Sequence, residues 1–190
     1  MGTPTLDAAA KGMAALTLGY SLARTAFGWV AVAGSEQALA ASTFPQESAE
    51  AALAALRAQA GAAAESAQWR ETCDRLQAYF DGAPINFPEL VELSRFTEFQ
   101  RRVLSELRLV PYGETRTYGW LARTCGCPRG PRAVGQAVGR NPLPVIIPCH
   151  RVLAAGGYGG FGGGLDLKLR LLRLEGITSR TRVSRRRPLR

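Results

Sequence analysis

YGWLARTCGCPRGPRAVGQAVGR, residues Tyr118–Arg140, decides how the chain is read. Tyr118 to Thr124 reads as one short helix, Gly126 breaks it, and a second helix runs to about Arg140. Two short helices joined by a Gly-containing turn suggest a helix-turn-helix, an outline that many helical hairpins share. The second helix is unusually small-sided, with Ala133, Gly135, Ala137 and Gly139. Either it packs tightly on another helix, or it approaches a DNA backbone or an opened minor groove with Arg132 projecting. Gly130-Pro131 stands just before Arg132. Proline suits only a first helical turn, so a late helix start and a tilted Arg132 are expected.

Downstream, Pro142, Pro144 and Pro148 push Asn141, Leu143 and Ile147 towards extended backbone. The apolar run Val145-Ile146-Ile147 predicts a buried, stiff segment that delivers Cys149 at its end. A reactive cysteine needs thiolate character, which a neighbouring base or positive charge supplies. His150 is adjacent, but successive side chains on extended backbone point to opposite sides. A bridging water is therefore the more natural relay than a direct Cys149–His150 bond. The rigid Pro148 suits pre-organised attack. The plainer alternative is a structural thiol beside a surface histidine.

A Gly-rich loop, Gly156 to Gly164, leads into a Leu-rich helix, Leu165 to Leu174, with Gly176 as its stop. Gly157-Tyr158-Gly159-Gly160-Phe161-Gly162 fits G-x-G-x-x-G. A dinucleotide site would need a βαβ unit and a later acid, which the basic end of the chain does not offer. Such a loop better serves to bring backbone N–H groups close to a flat ligand. Glu175 falls where the helix macrodipole disfavours a carboxylate. It either orients an imidazole or is a solvated helix end. Lys168 shares its face and is either functional or a solvated surface group.

Upstream, the apolar runs Ala15–Tyr20 and Gly28–Ala33 read as antiparallel strands of a small sheet. Ser48 to Ala63 reads as an amphipathic helix capped by Ser48, with Leu53 and Leu56 on one face. Glu71 to Phe80 reads as another helix, and Ala83–Pro88 as an extended linker. Thr97 to Leu107 is helical, with Phe99, Val103 and Leu107 on one face. The expected organisation is an α/β domain over 1–88, a helix-turn-helix domain over 89–178, and a basic disordered tail over 179–190.

The 190 residues suffice for a proper core, and the formal charge of +9 suits a nucleic-acid partner without proving one. The tail concentrates Arg180, Arg182, Arg185, Arg186, Arg187 and Arg190, which could hold DNA through counterion release. Asp7 and Lys11 interrupt any secretory pattern, and Thr25–Ser35 is too short to cross a bilayer. No membrane partner and a cytoplasmic location, nucleoid-associated in a prokaryote, are expected, with free thiols. His150 is the only histidine, so no metal site is expected, and Cys125 and Cys127 read as small buried thiols.

Pro148-Cys149-His150-Arg151-Val152 resembles the active-site signature of the O6-alkylguanine-DNA alkyltransferases. The resemblance spans about Phe99 to Gly176. It includes Pro111-Tyr112-Gly113-Glu114-Thr115, Thr117-Tyr118, Arg132-Ala133-Val134-Gly135, Asn141-Pro142, Gly162-Gly163-Gly164-Leu165, Lys168 and Glu175-Gly176. It implies a ribonuclease H-like α/β domain followed by a winged-helix-like, mostly helical domain.

By position, the resemblance makes Cys149 the alkyl acceptor, His150 its base through a water, and Glu175 the group that orients His150. Tyr118 becomes the proton donor to guanine N3, with Lys168 assisting around it. Arg132 becomes the finger that fills the stack when the nucleotide is flipped out. Ala133, Gly135, Thr117 and Tyr118 line the DNA contact, Asn141 is the hinge, and Val152 and Gly162 border the guanine. The implied partner is double-stranded DNA carrying O6-alkylguanine, met in its minor groove. O4-alkylthymine is a second candidate lesion. No cofactor is implied. A monomer, with room for cooperative binding along DNA, is expected. Gly162 stands where some members carry a hydroxyl residue. The competing readings are a lesion-flagging relative without transfer, a helix-turn-helix regulator, and a multiple-turnover cysteine hydrolase.

Overall fold

The computed structural model describes residues 18–61 and 63–178. The start of the first expected strand and the basic tail lie outside these residues. The N-terminal half is a sheet of order β3-β2-β1-β4, built from β1 (Leu18–Thr25), β2 (Gly28–Gly34), β3 (Leu39–Ser42) and β4 (Ala63–Glu65). The first three strands pair antiparallel, whereas β4 joins β1 in parallel. The sheet is thus mixed, not purely antiparallel. Helix α1 (Ala49–Ala60), capped by Ser48, stops at Gly61 rather than running to Ala63, which frees the chain to form β4.

Alternation along β2 sorts the two faces of the sheet. Ala31 and Ala33 face α1 and pack with its Ala52 and Leu56. Val30 and Val32 face the other way, into the main core with Leu76, Tyr79 and Phe80 of α2 (Arg70–Phe80). The buried set Thr72, Cys73, Leu76, Tyr79 and Phe80 follows helical spacing, so Tyr79 points inwards.

The C-terminal half is mostly helical. Helix α3 (Glu98–Arg108) opens with a reciprocal capping box between Thr97 and Gln100, and buries Val103, Leu104 and Leu107. After β5 (Arg116–Thr117) come α4 (Tyr118–Thr124) and α5 (Pro131–Gly139), which pack on each other and on α3. Pro131 is the first residue of α5, so the helix does not start late and Arg132 lies in its first turn. Val134, Ala137 and Val138 make the helix contacts. Gly135 and Gly139 do not: a Cβ would meet only the Tyr118 ring at 3.9 Å from Gly135, and nothing within 4 Å from Gly139. Of the small residues, Ala137 packs in the core whereas Gly135 and Gly139 lie on the open side of the helix. Helix α6 (Leu165–Leu174) closes the fold and ends at Gly176, whose φ of 74° is the left-handed stop glycine permits.

The segment 141–148 is buried but not extended. It reverses at Val145, where φ is 73°, and the Ile147 amide bonds to the Leu143 carbonyl at 2.8 Å. The prolines restrain only themselves and the residues before them, which leaves Val145-Ile146 free to turn. A β-branched residue at positive φ is strained, and here the surroundings hold it. Ser42 does much of this, donating from its amide to the Pro142 carbonyl (2.9 Å) and from its hydroxyl to that of Pro144 (3.1 Å). Gln59 adds a bond to the Pro142 carbonyl at 2.6 Å. No helix among the described residues is long and apolar enough to cross a membrane.

Candidate active site

Pro148 forms a tight turn in which the Cys149 amide reaches back to the Ile147 carbonyl at 2.8 Å, with φ −82° and ψ 67°. Cys149–Arg151 then make one 3-10 turn, leading into β6 (Val152–Leu153) beside β5. Cys149 is thus not at the end of an extended segment. With three residues per turn, successive side chains fan out in three directions. Cys149 faces a cavity of about 700 Å³, His150 faces the interior, and Arg151 borders a separate cleft.

His150 is fully buried. Its Nε2 lies 2.7 Å from Glu175 Oε1. A carboxylate only accepts, so Nε2 carries the proton and donates. Nδ1 is then the basic atom, and it has no hydrogen-bond partner among the described residues. Burial lowers the pKa of His150 against the raising effect of Glu175, so the ring rests neutral. No direct bond joins Nδ1 to Cys149.

Glu175 is not a solvated helix end. Its Oε1 accepts from the Tyr79 hydroxyl (2.7 Å), from His150 and from Arg151 Nη2 (2.9 Å). Its Oε2 accepts from Arg151 Nε (2.9 Å) and the Gly113 amide (3.1 Å). Burial alone would raise its pKa, but His150 and Arg151 overcome this and hold it at about 2. A charge disfavoured by the helix end is thus kept by five donors.

Cys149 is 6% exposed. Burial raises its pKa, opposed by a hydrogen bond from Asn141 and by the Lys168 charge. The thiol therefore rests neutral and needs a base to take its proton before it can attack. Asn141, directly after α5, also donates through Nδ2 to the Ile147 carbonyl (2.8 Å) and accepts from the Leu143 amide (3.0 Å).

Lys168 is fully buried rather than a surface group. Its ammonium donates to the carbonyls of Val152 (2.7 Å), Tyr158 (2.6 Å) and Gly160 (3.5 Å), tying β6 to the Gly-rich loop. Burial pulls its pKa down to about 8, while a thiolate at Cys149 would raise it. Lys168 reaches the Tyr118 region through this loop. At Gly159, φ is 74° and a Cβ would stand 3.1 Å from the Tyr118 ring, so only glycine lets the loop close on that ring. Tyr118 itself lines the cavity, and burial, then Cys149, raises its pKa, keeping it a neutral donor.

Arg132, Gly135, Gly162 and Asn141 border the same cavity. Ala133 is exposed on α5 but does not line it, and Val152 is buried behind it with its carbonyl committed to Lys168. The Thr117 hydroxyl caps α4 by accepting from the Trp120 amide at 3.0 Å. Cys125 is buried, whereas Cys127 is half-buried. Among the described residues no group of three or more His, Cys, Asp or Glu could hold a metal.

Nothing in the sequence gives Tyr79, Arg151 or Phe44 a role. Phe44 and Phe161 stack edge-on at 5.1 Å and wall the cavity. Arg151 stood inside the motif and could have been questioned as a partner for Glu175. No local pattern marks Tyr79 or Phe44.

A family profile described as the 6-O-methylguanine DNA methyltransferase DNA-binding domain matches residues 98–177. A methylated-DNA–protein-cysteine methyltransferase of Methanosarcina acetivorans is 49% identical over 110 residues, 57% of this chain and 69% of that protein. One from Mycobacterium leprae is 48% identical over 112 residues, 58% of this chain and 67% of the relative. The crystal structure of Mycobacterium tuberculosis OGT in complex with DNA superposes with a TM-score of 0.71 at 35% identity, over 83% of this chain and 92% of that one.

Proposed function

The chain belongs to the O6-alkylguanine-DNA alkyltransferase family, the methylated-DNA–protein-cysteine methyltransferases, and on that premise we propose that Cys149 is the cysteine that takes the alkyl group. The activity is direct reversal of DNA damage: one alkyl group passes from guanine O6 to a protein cysteine, and the protein is spent.

In this reading a sulfur lone pair attacks the alkyl carbon as the carbon–O6 bond breaks. A thioether forms, and guanine keeps the bonding electrons. The thiol proton passes to His150 Nδ1 through a water, while Glu175 holds Nε2 and so fixes the tautomer. The single observation that carries this is the His150 ring, the residue after Cys149, pinned at Nε2 and left with a buried Nδ1 that has no hydrogen-bond partner among the described residues. The neutral Tyr118 phenol donates to guanine N3 and improves the leaving group. Residues 1–88 and 89–178 act as the two domains. Helix α5 enters the minor groove of a monomer's DNA site, with the nucleotide flipped into the cavity. Incubation with a duplex carrying O6-methylguanine tests this: the protein should gain one methyl, located on the peptide that contains Cys149. A methyl found on another residue overturns the assignment.

Arg132 is exposed in the first turn of α5, at the cavity rim, and no salt bridge joins it to another described residue. As a wedge it would offset about a few kcal/mol of unstacking. Arg132→Ala should therefore slow repair of duplex DNA by about tenfold or more, yet spare reaction with the free base O6-methylguanine. Equal losses on both substrates would remove the wedge role.

Deleting residues 179–190 takes away six arginines. The slope of log affinity against log salt should flatten, because fewer counterions are released, while transfer persists. An unchanged slope would leave the tail without a part in DNA binding.

A further inference from the structure

The transfer reaction as read above draws its groups from the C-terminal half, yet one buried hydroxyl at its centre comes from the other half. Tyr79 projects from the inner face of α2 and is fully buried. Its hydroxyl donates to Glu175 Oε1 at 2.7 Å and lies 3.2 Å from His150 Nε2. We propose that Tyr79 is a positioning residue of alkyl transfer, reaching across from the N-terminal half to set how strongly Glu175 holds the His150 ring. This rests on the reading that His150 relays the Cys149 proton.

The argument is one of competition at a single oxygen. Glu175 Oε1 is shared by the Tyr79 hydroxyl, the His150 N–H and the Arg151 guanidinium. Each donor draws on the same negative charge. Without the hydroxyl, more of that charge falls on the His150 N–H, which favours the imidazolium. An imidazolium has no lone pair at Nδ1 with which to accept the thiol proton. The hydroxyl therefore keeps the ring neutral and competent at lower pH. Burial, then the Glu175 charge, keeps the phenol protonated, so it stays a donor.

The other groups around the ring do not substitute for it. Arg151 and Cys149 flank it on its own turn, Lys168 acts from α6, and Tyr112 stands at 6.1 Å from the Tyr79 ring. The Tyr112 hydroxyl donates instead to the carbonyls of Gly82 and Leu174. Packing alone does not require the oxygen of Tyr79, because Phe80, Phe87 and Tyr112 contact its ring.

Tyr79→Phe in the full chain keeps the ring and removes only the oxygen. Single-turnover transfer would be followed from about pH 8 down to about pH 5, where an imidazole titrates. The ratio of variant to wild-type rate should lie near one at the alkaline end and fall about three- to tenfold towards the acid end. His150 is the only histidine in the chain, so a labelled-histidine NMR titration reads it without ambiguity and without needing activity. Its midpoint should move upwards in Tyr79→Phe. A rate ratio constant with pH, whatever its size, or an imidazole titration that does not move upwards, overturns the proposal and leaves Tyr79 a packing residue. Failure of wild-type protein to alkylate Cys149 would instead strike the functional reading, while the NMR titration would still decide whether Tyr79 acts on His150.

Discussion

Cys149→Ser should gain no mass from an O6-methylguanine duplex while still binding it. Serine keeps the size of the side chain and its place at the cavity floor. It replaces a polarisable sulfur by an oxygen whose proton His150 cannot readily remove. The reaction needs a strong nucleophile in line with an unactivated carbon, and the hydroxyl is not one. Intact mass spectrometry and a gel-shift measurement on the same sample separate chemistry from binding. Full methylation of the variant would place the acceptor elsewhere. The other three cysteines are poor substitutes: burial pushes Cys73 up to about 12 and Cys125 up to about 11, and neither they nor Cys127 line the cavity.

Glu175→Gln should damage both stability and rate. The carboxylate is the only partner in an ion pair with Arg151 among the described residues, and both side chains are buried. Removing the charge leaves a buried guanidinium uncompensated, at a cost on the order of 3 kcal/mol. It also lets the amide offer an N–H to His150 Nε2, which permits the wrong tautomer. Transfer should slow by about a hundredfold or more, measured at a temperature where the variant is still folded.

The pH dependence gives an independent check. The folded-state pKa of Glu175 is about 2, against an ordinary 4.5. Its contribution to stability is therefore complete above the ordinary carboxylate range and is lost as pH falls towards about 2. The stability difference between wild type and Glu175→Gln should shrink on acidification. A difference that stays constant would mean that the carboxylate's charge is not what stabilises the fold.

Much of the site was legible because it is local. The Pro148-Cys149-His150-Arg151 run, the Tyr118–Thr124 helix and the Gly176 stop each depend on neighbours in sequence. What was missed depends on contacts that have no period. Tyr79 and Glu175 stand 96 residues apart, and nothing in the pattern of α2 separates an inward tyrosine with a task from one that merely packs. The turn at Val145 was hidden for a related reason. Proline rules restrict the residues they touch, whereas the reversal is enforced from outside, by Ser42 and Gln59. Strand β4 was lost inside an Ala-rich run that reads as helix throughout, although Gly61 marks where that helix ends. For Lys168 and Glu175 the sequence leaves both a functional group and a solvated surface group open, because charge usually means exposure. Their partners are backbone carbonyls in the first case and a cluster drawn from three separate segments in the second.

The burial of the Cys149 thiol bears on how such a molecule survives until it is needed. A protein consumed by one event has no second chance, so accidental loss matters as much as speed. Peroxide and stray electrophiles attack thiolates that are exposed, and this sulfur is neither deprotonated at rest nor open to solvent. With Cys149 as the proposed acceptor, reactivity would be withheld until a flat base fills the cavity and presents its alkyl carbon to the sulfur. Fit, rather than intrinsic nucleophilicity, then decides when the cysteine is spent, and the shelf life of the idle protein follows from the same walls that shape its pocket.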